Sequence, residues 1–278
     1  MNSLSTNFIS KFINTSKPLI FGMVHLPALP GTPANKLNPD EILRFVSNEV
    51  KIYKECKVDG IILENMNDIP YLHSTSIGPE VTSMMTACAM KTVNVLSNER
   101  DNFLLGIQVL AGCNKEALSI AFATGFNFIR AESFVYSHIA DEGLMNACAG
   151  DLLRFRKTIG AEKVGVVVDI KKKHCSHSIT SDLSVADVAE GADFFRADGV
   201  ILTGMGTGKE ADSCDISLVQ KVTKLPVLIG SGVTIENMVK YKDANGFIIG
   251  THFKENGDWR NKLSRERITN FVKALRSL

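Results

Sequence analysis

The stretch Pro226-Val-Leu-Ile-Gly-Ser-Gly-Val-Thr-Ile-Glu-Asn237 is followed a short way on by Gly246-Phe-Ile-Ile-Gly-Thr251. Each is a short aliphatic run that ends in glycine beside a hydroxyl residue, the pattern of a buried strand that opens into a tight turn. Because glycine has no Cβ, such turns let backbone N–H groups approach an anion. A helix starting near Thr234 or Ile235 would point its positive end at the same place. The residues of this predicted phosphate site are Gly230, Ser231, Gly232, Gly250 and Thr251.

Apolar runs of this kind recur along the chain, and most gaps between them hold a helix-like segment. They start near Leu19, Gly60, Phe103, Phe126, Val164, Gly199, Pro226 and Gly246. The repeat averages roughly 32 residues, the size of one βα unit. Apolar strands that alternate with helices are typical of a parallel sheet covered on both faces. Eight of them favour a single closed (β/α)8 TIM barrel, in which the last two turns are neighbours at the carboxyl end.

The apolar spacing also predicts the helices and the domain boundary. The predicted helices are Pro39 to Cys56, Pro79 to Leu96, Lys115 to Thr124, Leu144 to Ile159 and Leu183 to Phe195. Long irregular stretches (26–38, 65–78, 132–143 and 171–182) each follow a strand, which puts them on the ligand-binding face of a barrel. Residues 1–17 are predicted to form a short amphipathic helix, and residues 18–278 the barrel domain.

Composition narrows the class of protein. The 278 residues are 45% hydrophobic and 22% charged, which suits one large soluble domain, and the net charge of +1 gives no footprint for nucleic acid. No run of about 18 apolar residues could span a bilayer. Six scattered cysteines suggest a reducing compartment, so a cytoplasmic location is expected. Residues 1–17 contain Lys11 and Lys17 but no acid, so a transit peptide to the mitochondrial matrix is the alternative to the helix.

The glycine-rich segment Gly204-Met-Gly-Thr-Gly208 matches neither nucleotide motif. Lys209 stands where the dinucleotide fingerprint needs glycine, and Glu210 follows the lysine where a P-loop needs Ser or Thr. Thr203 closes its strand with a hydroxyl that could face the cavity, and the loop from Gly204 could fold over a ligand. Both are therefore predicted to contact substrate.

Polar residues end two of the early strands, where burial without a task is costly. Glu64 shares side-chain parity with Gly60, and Asn65 and Asp68 follow it. Glu64 is a candidate acid or base, with a buried ion pair as the alternative, and Asn65 and Asp68 are candidate substrate ligands. Arg130 and Glu132 end another strand on one face. For Arg130 a structural salt bridge is the alternative to a role with substrate, because a guanidinium in a barrel needs a fixed carboxylate.

The fifth predicted strand carries the densest group of titratable residues. Asp169 and Lys171 share one face, and His174 enters the following loop. A carboxylate beside an ammonium in a dry cavity suits acid/base work, so all three are candidate catalytic residues. The alternatives are a capping role for Asp169 and a solvated run of lysines. His174-Cys175-Ser-His177 is too local for a zinc site, whereas Mg²⁺ held by Glu64 and Asp169 stays open.

His25 ends the first predicted strand, within the run His25-Leu-Pro-Ala-Leu-Pro-Gly31. It could bind substrate or form a hydrogen bond within that loop.

Several of these pieces together resemble the BtpA family, which includes SgcQ-like proteins. They are Lys17-Pro-Leu-Ile-Phe-Gly-Met-Val-His-Leu-Pro-Ala-Leu-Pro-Gly31, Gly60-Ile-Ile-Leu-Glu-Asn65 with Asp68 and Pro70, Pro79-Glu80, Ala123-Thr-Gly125, Phe128-Ile-Arg130, Asp151-Leu-Leu-Arg-Phe-Arg156, Asp169 with Lys173-His174, Thr203-Gly204, Thr207-Gly208, Val227-Leu-Ile-Gly-Ser-Gly-Val233 and Gly250-Thr251. The resemblance implies a TIM barrel similar to the ribulose-phosphate-binding barrels. The chain departs from the family pattern at Cys175 and at Ala131-Glu132-Ser133, and the family motif defines no single reaction.

Fold and strand-end residues together predict an enzyme acting on a small phosphorylated metabolite, a sugar phosphate or a nucleotide. Isomerase, lyase and glycosidic-bond hydrolase chemistry all fit an acid/base pair beside a phosphate site. The resemblance adds a non-catalytic assembly or stability factor as an alternative, because BtpA itself is associated with stabilising photosystem I. A sensor that binds a phosphorylated ligand without turnover is a further alternative. Barrels often pair through their outer helices, so a homo-oligomer is also consistent with the sequence.

Overall fold

The computed structural model describes residues 15–204 and 206–278. In these residues the strands are β1 (Leu19–His25), β2 (Gly60–Glu64), β3 (Leu104–Gln108), β4 (Phe128–Ala131), β5 (His138–Ala140), β6 (Gly143–Met145), β7 (Gly165–Asp169), β8 (Cys175–Ser176), β9 (Gly199–Leu202), β10 (Val227–Ile229) and β11 (Gly246–Ile249). Eight of them form a closed parallel barrel in the order β1-β11-β10-β9-β7-β4-β3-β2. Closure comes from β1 and β11, where Leu19 lies opposite Gly246. The predicted (β/α)8 barrel is confirmed.

Helices cover the outside of the barrel. Over the described residues the α-helices are α1 (Pro39–Cys56), α2 (Pro79–Leu96), α3 (Asn114–Thr124), α4 (Ala149–Thr158), α5 (Val185–Phe194), α6 (Cys214–Val222) and α7 (Arg265–Ser277). The first two have the predicted bounds. Helix α1 begins there because Pro39 suits the first turn and Asn38 and Glu41 form a reciprocal capping box.

The interior of the barrel is filled by side chains, so it is a packed core without a channel. Phe21 and Phe128 meet edge to face with ring centroids 5.6 Å apart. Gly60 and Gly106 leave the room for these rings, since a Cβ on Gly60 would lie 2.5 Å from Phe21 and one on Gly106 2.4 Å from Phe128. Ile62 belongs to the same interior cluster. Glu64, with the parity of Gly60 and Ile62, therefore ends its strand directly above this core.

A small second sheet interrupts the predicted helix Leu144 to Ile159. Strands β5, β6 and β8 pair antiparallel in the order β6-β5-β8. Gly143 adopts φ 103° in the hairpin that places Ile139 opposite Leu144, and α4 begins only at Ala149. Periodicity alone cannot separate such a short apolar run from the first turn of a helix. The prediction that Leu144 begins the helix was therefore wrong.

A second difference lies between β10 and β11. The helix predicted to begin at Thr234 or Ile235 is replaced by a 3₁₀ turn, Met238–Tyr241. The amide of Thr234 donates to the side chain of Asn237 instead of facing a ligand. Any anion at this end of the barrel is therefore left to the loop amides, without a helix dipole.

Two further predictions concern the ends of the chain and the bilayer. The helix predicted for residues 1–17 falls mainly on residues 1–14, outside the described part of the chain. Among the helices of the described residues, none combines the length and the apolar character needed to cross a membrane.

Candidate active site

A cavity of about 740 Å³ opens at the carboxyl end of the barrel strands. Ten of the predicted site residues line it, namely His25, Glu64, Arg130, Asp169, His174, Gly230, Ser231, Gly232, Gly250 and Thr251. Five others do not appear in its wall, namely Asn65, Asp68, Lys171, Thr203 and Gly204. Gln108, Lys172 and Lys173 also line the cavity, although they were not predicted as site residues, and so does Glu132, which the sequence marks as a strand-end residue without an assigned role.

The two glycine bends lie side by side because β10 and β11 pair in the barrel. Gly232 adopts φ 72°, a left-handed conformation that favours glycine, and a Cβ there would lie 2.3 Å from the carbonyl oxygen of Lys209. Among residues 15–204 and 206–278, no hydrogen-bond acceptor engages the backbone amides of Ser231, Gly232, Gly250 or Thr251. The bends thus present unpaired N–H groups at the cavity wall.

Two groups of the predicted phosphate site are already engaged within the protein. The amide of Gly230 donates to the carbonyl of Leu202 at 2.7 Å. The hydroxyl of Ser231 donates to the carbonyl of Lys209 at 2.9 Å and accepts from the amide of Gly204 at 2.8 Å. The prediction that the Gly230 amide binds an anion is therefore wrong, because that N–H continues the sheet. Ser231 keeps its amide available but uses its hydroxyl to hold the loop that starts at Gly204.

Arg130 and Asp169 form a two-pronged ion pair inside the barrel mouth. The guanidinium Nε and Nη2 donate to the two carboxylate oxygens, both at 2.8 Å, and both side chains are buried. Burial by itself lowers the pKa of Arg130, but the charge and hydrogen bonds of Asp169, together with the charges of Glu64 and Glu132, outweigh it and the pKa is raised. The predicted salt bridge of Arg130 thus has Asp169 as its partner. Because both oxygens are bound, Asp169 is a poor proton acceptor in this arrangement and instead fixes the guanidinium.

Glu64 and His25 meet at the ends of β2 and β1. The His25 Nε2 lies 3.4 Å from a Glu64 carboxyl oxygen. Burial raises the pKa of Glu64, against the opposing charges of Arg130 and Lys173. Burial lowers the pKa of His25 to about 3, with help from the charges of Lys254, Lys173 and Arg130, so its ring is neutral near pH 7. A carboxyl group of raised pKa that is not held in a full ion pair can both give and take a proton.

The lysines after β7 do not follow the predicted alternation. Lys171 adopts φ 45°, which breaks the strand pattern, and its Nζ donates to the carbonyl of Thr180, outside the cavity. Lys172 instead pairs with Glu132 at 2.8 Å, and Lys173 enters the cavity. The prediction that Lys171 shares the face of Asp169 is wrong because alternation holds only while the backbone stays extended.

The remaining predicted contacts serve as supports for the loops. Asn65 accepts from the amide of Leu110 at 2.7 Å and donates to Asp68 at 2.9 Å. Asp68 also accepts from the amide of Leu29 at 2.7 Å, so these two side chains tie together the loops that follow β1, β2 and β3. Their predicted role as substrate ligands is not supported, because these bonds turn both side chains into the loops.

Thr203 and His174 hold the loops after β7 and β9. The Thr203 hydroxyl accepts from the amide of Lys173 at 3.0 Å, and the amide of Gly204 donates to Ser231. Neither residue lines the cavity, so the predicted contacts with substrate are not supported. His174 lies at the rim, where its Nε2 is 3.0 Å from the hydroxyl of Thr207. Burial and the charge of Lys173 lower the pKa of His174.

The structure offers no obvious metal centre in the described residues. No group of three or more His, Cys, Asp or Glu side chains among them could hold an ion. Asp169, one of the two residues considered for Mg²⁺, has both carboxylate oxygens hydrogen-bonded to Arg130. His177 lies 3.0 Å from the carbonyl of Lys172, and His174 contacts Thr207, so the two histidines are engaged separately.

Solved TIM-barrel enzymes match the whole barrel. Thiamine phosphate pyrophosphorylase from Pyrococcus furiosus aligns with a TM-score of 0.59 at 10% identity, over 95% of this chain and 98% of that one. Orotidine 5'-monophosphate decarboxylase from Methanocaldococcus jannaschii aligns with a TM-score of 0.53 at 16% identity, over 93% and 99%. At such identities the likeness shows the fold alone, and it confirms the predicted barrel class.

Relatives in sequence span nearly the full chain. The Caenorhabditis elegans mitochondrial protein F13E9.13 is 47% identical over 270 residues, which is 97% of each chain. The photosystem I biogenesis protein BtpA of Synechocystis sp. is 31% identical over 263 residues, which is 94% of this chain and 88% of the relative. The sequence model of the BtpA family matches residues 15–277. The chain therefore belongs to the BtpA family, as the motifs of its sequence predict.

Proposed function

We propose that the protein is an enzyme that acts on a small phosphorylated metabolite, a sugar phosphate or a nucleotide, by acid/base chemistry. One observation carries this proposal. Two adjacent bends present unengaged amides to the cavity that also contains a carboxyl group of raised pKa, that of the half-buried Glu64. Backbone amides at glycine bends bind phosphate without a lysine, and a carboxyl group of raised pKa is suited to proton transfer near neutral pH.

The phosphate would lie on the amides of Ser231, Gly232, Gly250 and Thr251. Thr251 adds a hydroxyl at the same bend, and no hydrogen bond to the rest of the described chain occupies it. The aligned solved structures support this assignment as a precedent for the fold, since the names of two of them include thiamine phosphate and orotidine 5'-monophosphate. In barrels the phosphate site commonly follows the seventh and eighth strands, which here are β10 and β11.

The reacting end of the metabolite would then face Glu64 and His25. Gly250 lies directly against the ring of His25, because a Cβ added to Gly250 would be 2.6 Å from the Cε1 of that ring. The phosphate bend and the proposed acid/base pair are therefore in contact. Glu64 would give or take a proton, and the fixed guanidinium of Arg130 would stabilise negative charge that develops on the substrate. Isomerase, lyase and glycosidic-bond hydrolase reactions all use such a pair.

Calorimetric titration with ribose 5-phosphate, and with a panel of nucleoside monophosphates, tests the proposal. We expect heat of binding from wild-type protein and a loss of affinity of about tenfold or more in Thr251→Val, since a hydrogen bond to a charged group is worth about 1.5–3 kcal/mol. Thr158→Val is the matched control, because Thr158 is exposed at the end of α4 and bonds only its own helix. Absence of heat from the whole panel would contradict the proposal.

A second candidate is a non-catalytic assembly or stability factor, favoured by one observation on the outer surface. Ile139 and Leu144 are 41% and 50% exposed and lie opposite each other in the small sheet. Exposed apolar pairs of this kind suit a protein partner. In a strain that depends on the protein, this candidate predicts that Ile139→Ser with Leu144→Ser abolishes function while Glu64→Gln preserves it. An enzyme predicts the reverse.

A further inference from the structure

The cationic side chains of the cavity wall differ in whether they have a partner. Arg130 is bound by Asp169, and Lys172 by Glu132. Arg267 donates from Nε to the carbonyl of His252 at 2.6 Å and from Nη2 to its ring at 3.1 Å. Lys173 is the exception, because no hydrogen bond or ion pair with any described residue engages its Nζ. An unpaired amine in a ligand cavity is costly without a task, so it calls for an explanation.

The backbone holds Lys173 firmly although its amine is unpaired. Its amide donates to the hydroxyl of Thr203 at 3.0 Å, which ties the segment after β7 to the end of β9. Lys171 and His174 on either side adopt positive φ values of 45° and 57°. This bend turns Lys171 out of the cavity and leaves Lys173 in its wall. The local fold therefore delivers one particular lysine to the mouth of the barrel.

The surroundings of Lys173 make its amine easier to deprotonate than that of an exposed lysine. Burial and the positive charge of Arg130 lower the pKa of Lys173, against the opposing charges of Glu64, Asp169 and Glu132. A neutral amine has the free electron pair that a nucleophile needs, and desolvation beside another cation is a recognised way to activate lysine. Phosphate binding does not require this lysine, because the two glycine bends already supply amides.

We propose that Lys173 is a nucleophile that forms a Schiff base with the carbonyl carbon of a phosphorylated aldehyde or ketone bound in this cavity. The inference rests on the proposed function and names its substrate class. It also narrows the reaction to chemistry at the carbon next to a carbonyl, such as isomerisation or carbon–carbon cleavage.

The step balances with the groups at hand. The Nζ electron pair forms a C–N bond while the carbonyl π pair moves to oxygen, which takes a proton from the Glu64 carboxyl. The nitrogen then loses a proton to the Glu64 carboxylate. Glu64 returns that proton to the hydroxyl, which departs as water as the nitrogen pair forms C=N, leaving a cationic iminium and a Glu64 carboxylate. No external oxidant or metal is required, and the iminium draws electrons from the neighbouring bond.

Borohydride trapping with dihydroxyacetone phosphate as the probe tests the inference. Reduction converts the imine to a stable secondary amine, and peptide mass mapping of the full chain locates it. We expect one adduct, on Lys173, that is lost in Lys173→Arg and retained in Lys171→Arg, the neighbouring lysine that faces away. Excess inorganic phosphate should suppress the adduct if the bends hold the phosphate of the probe. Because the wild-type map identifies the residue directly, the result does not depend on a variant that folds poorly.

The outcomes separate this inference from the proposed function. Glycerol 3-phosphate, which has a phosphate but no carbonyl, is titrated in parallel by calorimetry. Binding of glycerol 3-phosphate without an adduct from dihydroxyacetone phosphate would overturn the Schiff base and leave the phosphate site standing. Adducts spread over surface lysines, or an unchanged adduct in Lys173→Arg, would overturn it as well. Failure of both probes to bind would overturn the Schiff base, and only the further absence of heat from ribose 5-phosphate and the nucleoside monophosphates would contradict the proposed function itself.

Discussion

The two parts of the barrel mouth are built from different materials. The bends after β10 and β11 offer backbone amides on glycine-rich turns, whereas the ends of β1, β2, β4 and β7 offer titratable side chains. The backbone conformation of the bends is one that their own glycines allow, although Gly230 and Ser231 also form hydrogen bonds with residues near the end of β9. The charged residues need partners from other strands, as Arg130 needs Asp169, which is 39 residues away along the chain. The conformation of the bends is therefore mainly a local property, whereas the charged cluster, which consists of His25, Glu64, Arg130 and Asp169, depends on the assembled barrel.

This comparison implies that the charged cluster is the more fragile part, and Arg130→Leu tests it most severely. Removal of the guanidinium leaves the buried Asp169 carboxylate unpaired, so we expect the free energy of unfolding to fall by about 3–5 kcal/mol. Urea denaturation measures it. The control is Lys157→Leu, which removes an exposed pair with Glu162 and should cost at most about 1 kcal/mol. Equal effects in the two variants would show that the buried pair has no special weight.

Low pH should destabilise the charged cluster through His25. Its pKa is lowered from near 6.5 to about 3, so the unfolded chain binds the proton that the folded protein refuses. The contribution of His25 to the free energy of unfolding is fully present above pH 6.5 and is lost as the pH falls toward 3. This loss amounts to about 3 kcal/mol between pH 7 and pH 4. We expect urea unfolding at a series of pH values to show this loss in the wild type.

The variant His25→Gln isolates this contribution from other groups that titrate in acid, among them His138 and His252, whose pKa values burial lowers to about 4. The difference in unfolding free energy between wild type and variant should shrink as the pH falls. A constant difference from pH 7 to pH 4 would mean that the pKa of His25 is the same in the folded protein and in the unfolded chain.

Contact between the two parts is tested by Gly250→Ala. Its new Cβ would lie 2.6 Å from the Cε1 of His25, so the buried ring must shift, and overpacking of this kind costs about 2 kcal/mol. In the double variant with His25→Ala the combined cost should be smaller than the sum of the single costs. Gly150→Ala, at a helical position in α4, serves as the control and should be neutral or stabilising. Strict additivity in the double variant would show that the bend and the ring are independent.

The same contrast explains what the sequence could predict. The eight strands, the first two helices and the two bends follow from apolar spacing and glycine positions, which are local signals. The residues of the cavity wall were harder to predict. Because Lys171 adopts a left-handed conformation, Lys173 lines the cavity in its place. Whether Asp169 is free or paired depends on β4 and β7 lying side by side, and no local pattern reports that contact. Asn65 and Asp68 were predicted as substrate ligands because the same residue types also stabilise loops, as these two side chains do.

The variant Glu64→Gln tests whether the carboxyl group of Glu64 lowers the stability of the folded protein near neutral pH. Burial raises the pKa of Glu64, so ionisation near pH 7 is less favourable in the folded protein than in the unfolded chain. Relative to the glutamine variant, the wild type should be most stable below pH 4.5 and lose that advantage as the pH rises toward the raised pKa. At pH 7 to 8 we expect the variant to be more stable by about 1 kcal/mol in urea unfolding, while any acid/base activity is lost.

Glu190→Gln, on the exposed side of α5, is the control and should change the free energy of unfolding by less than about 0.5 kcal/mol. A variant that is less stable than wild type across this range would show that Glu64 serves structure, and the acid/base role would then pass to another group.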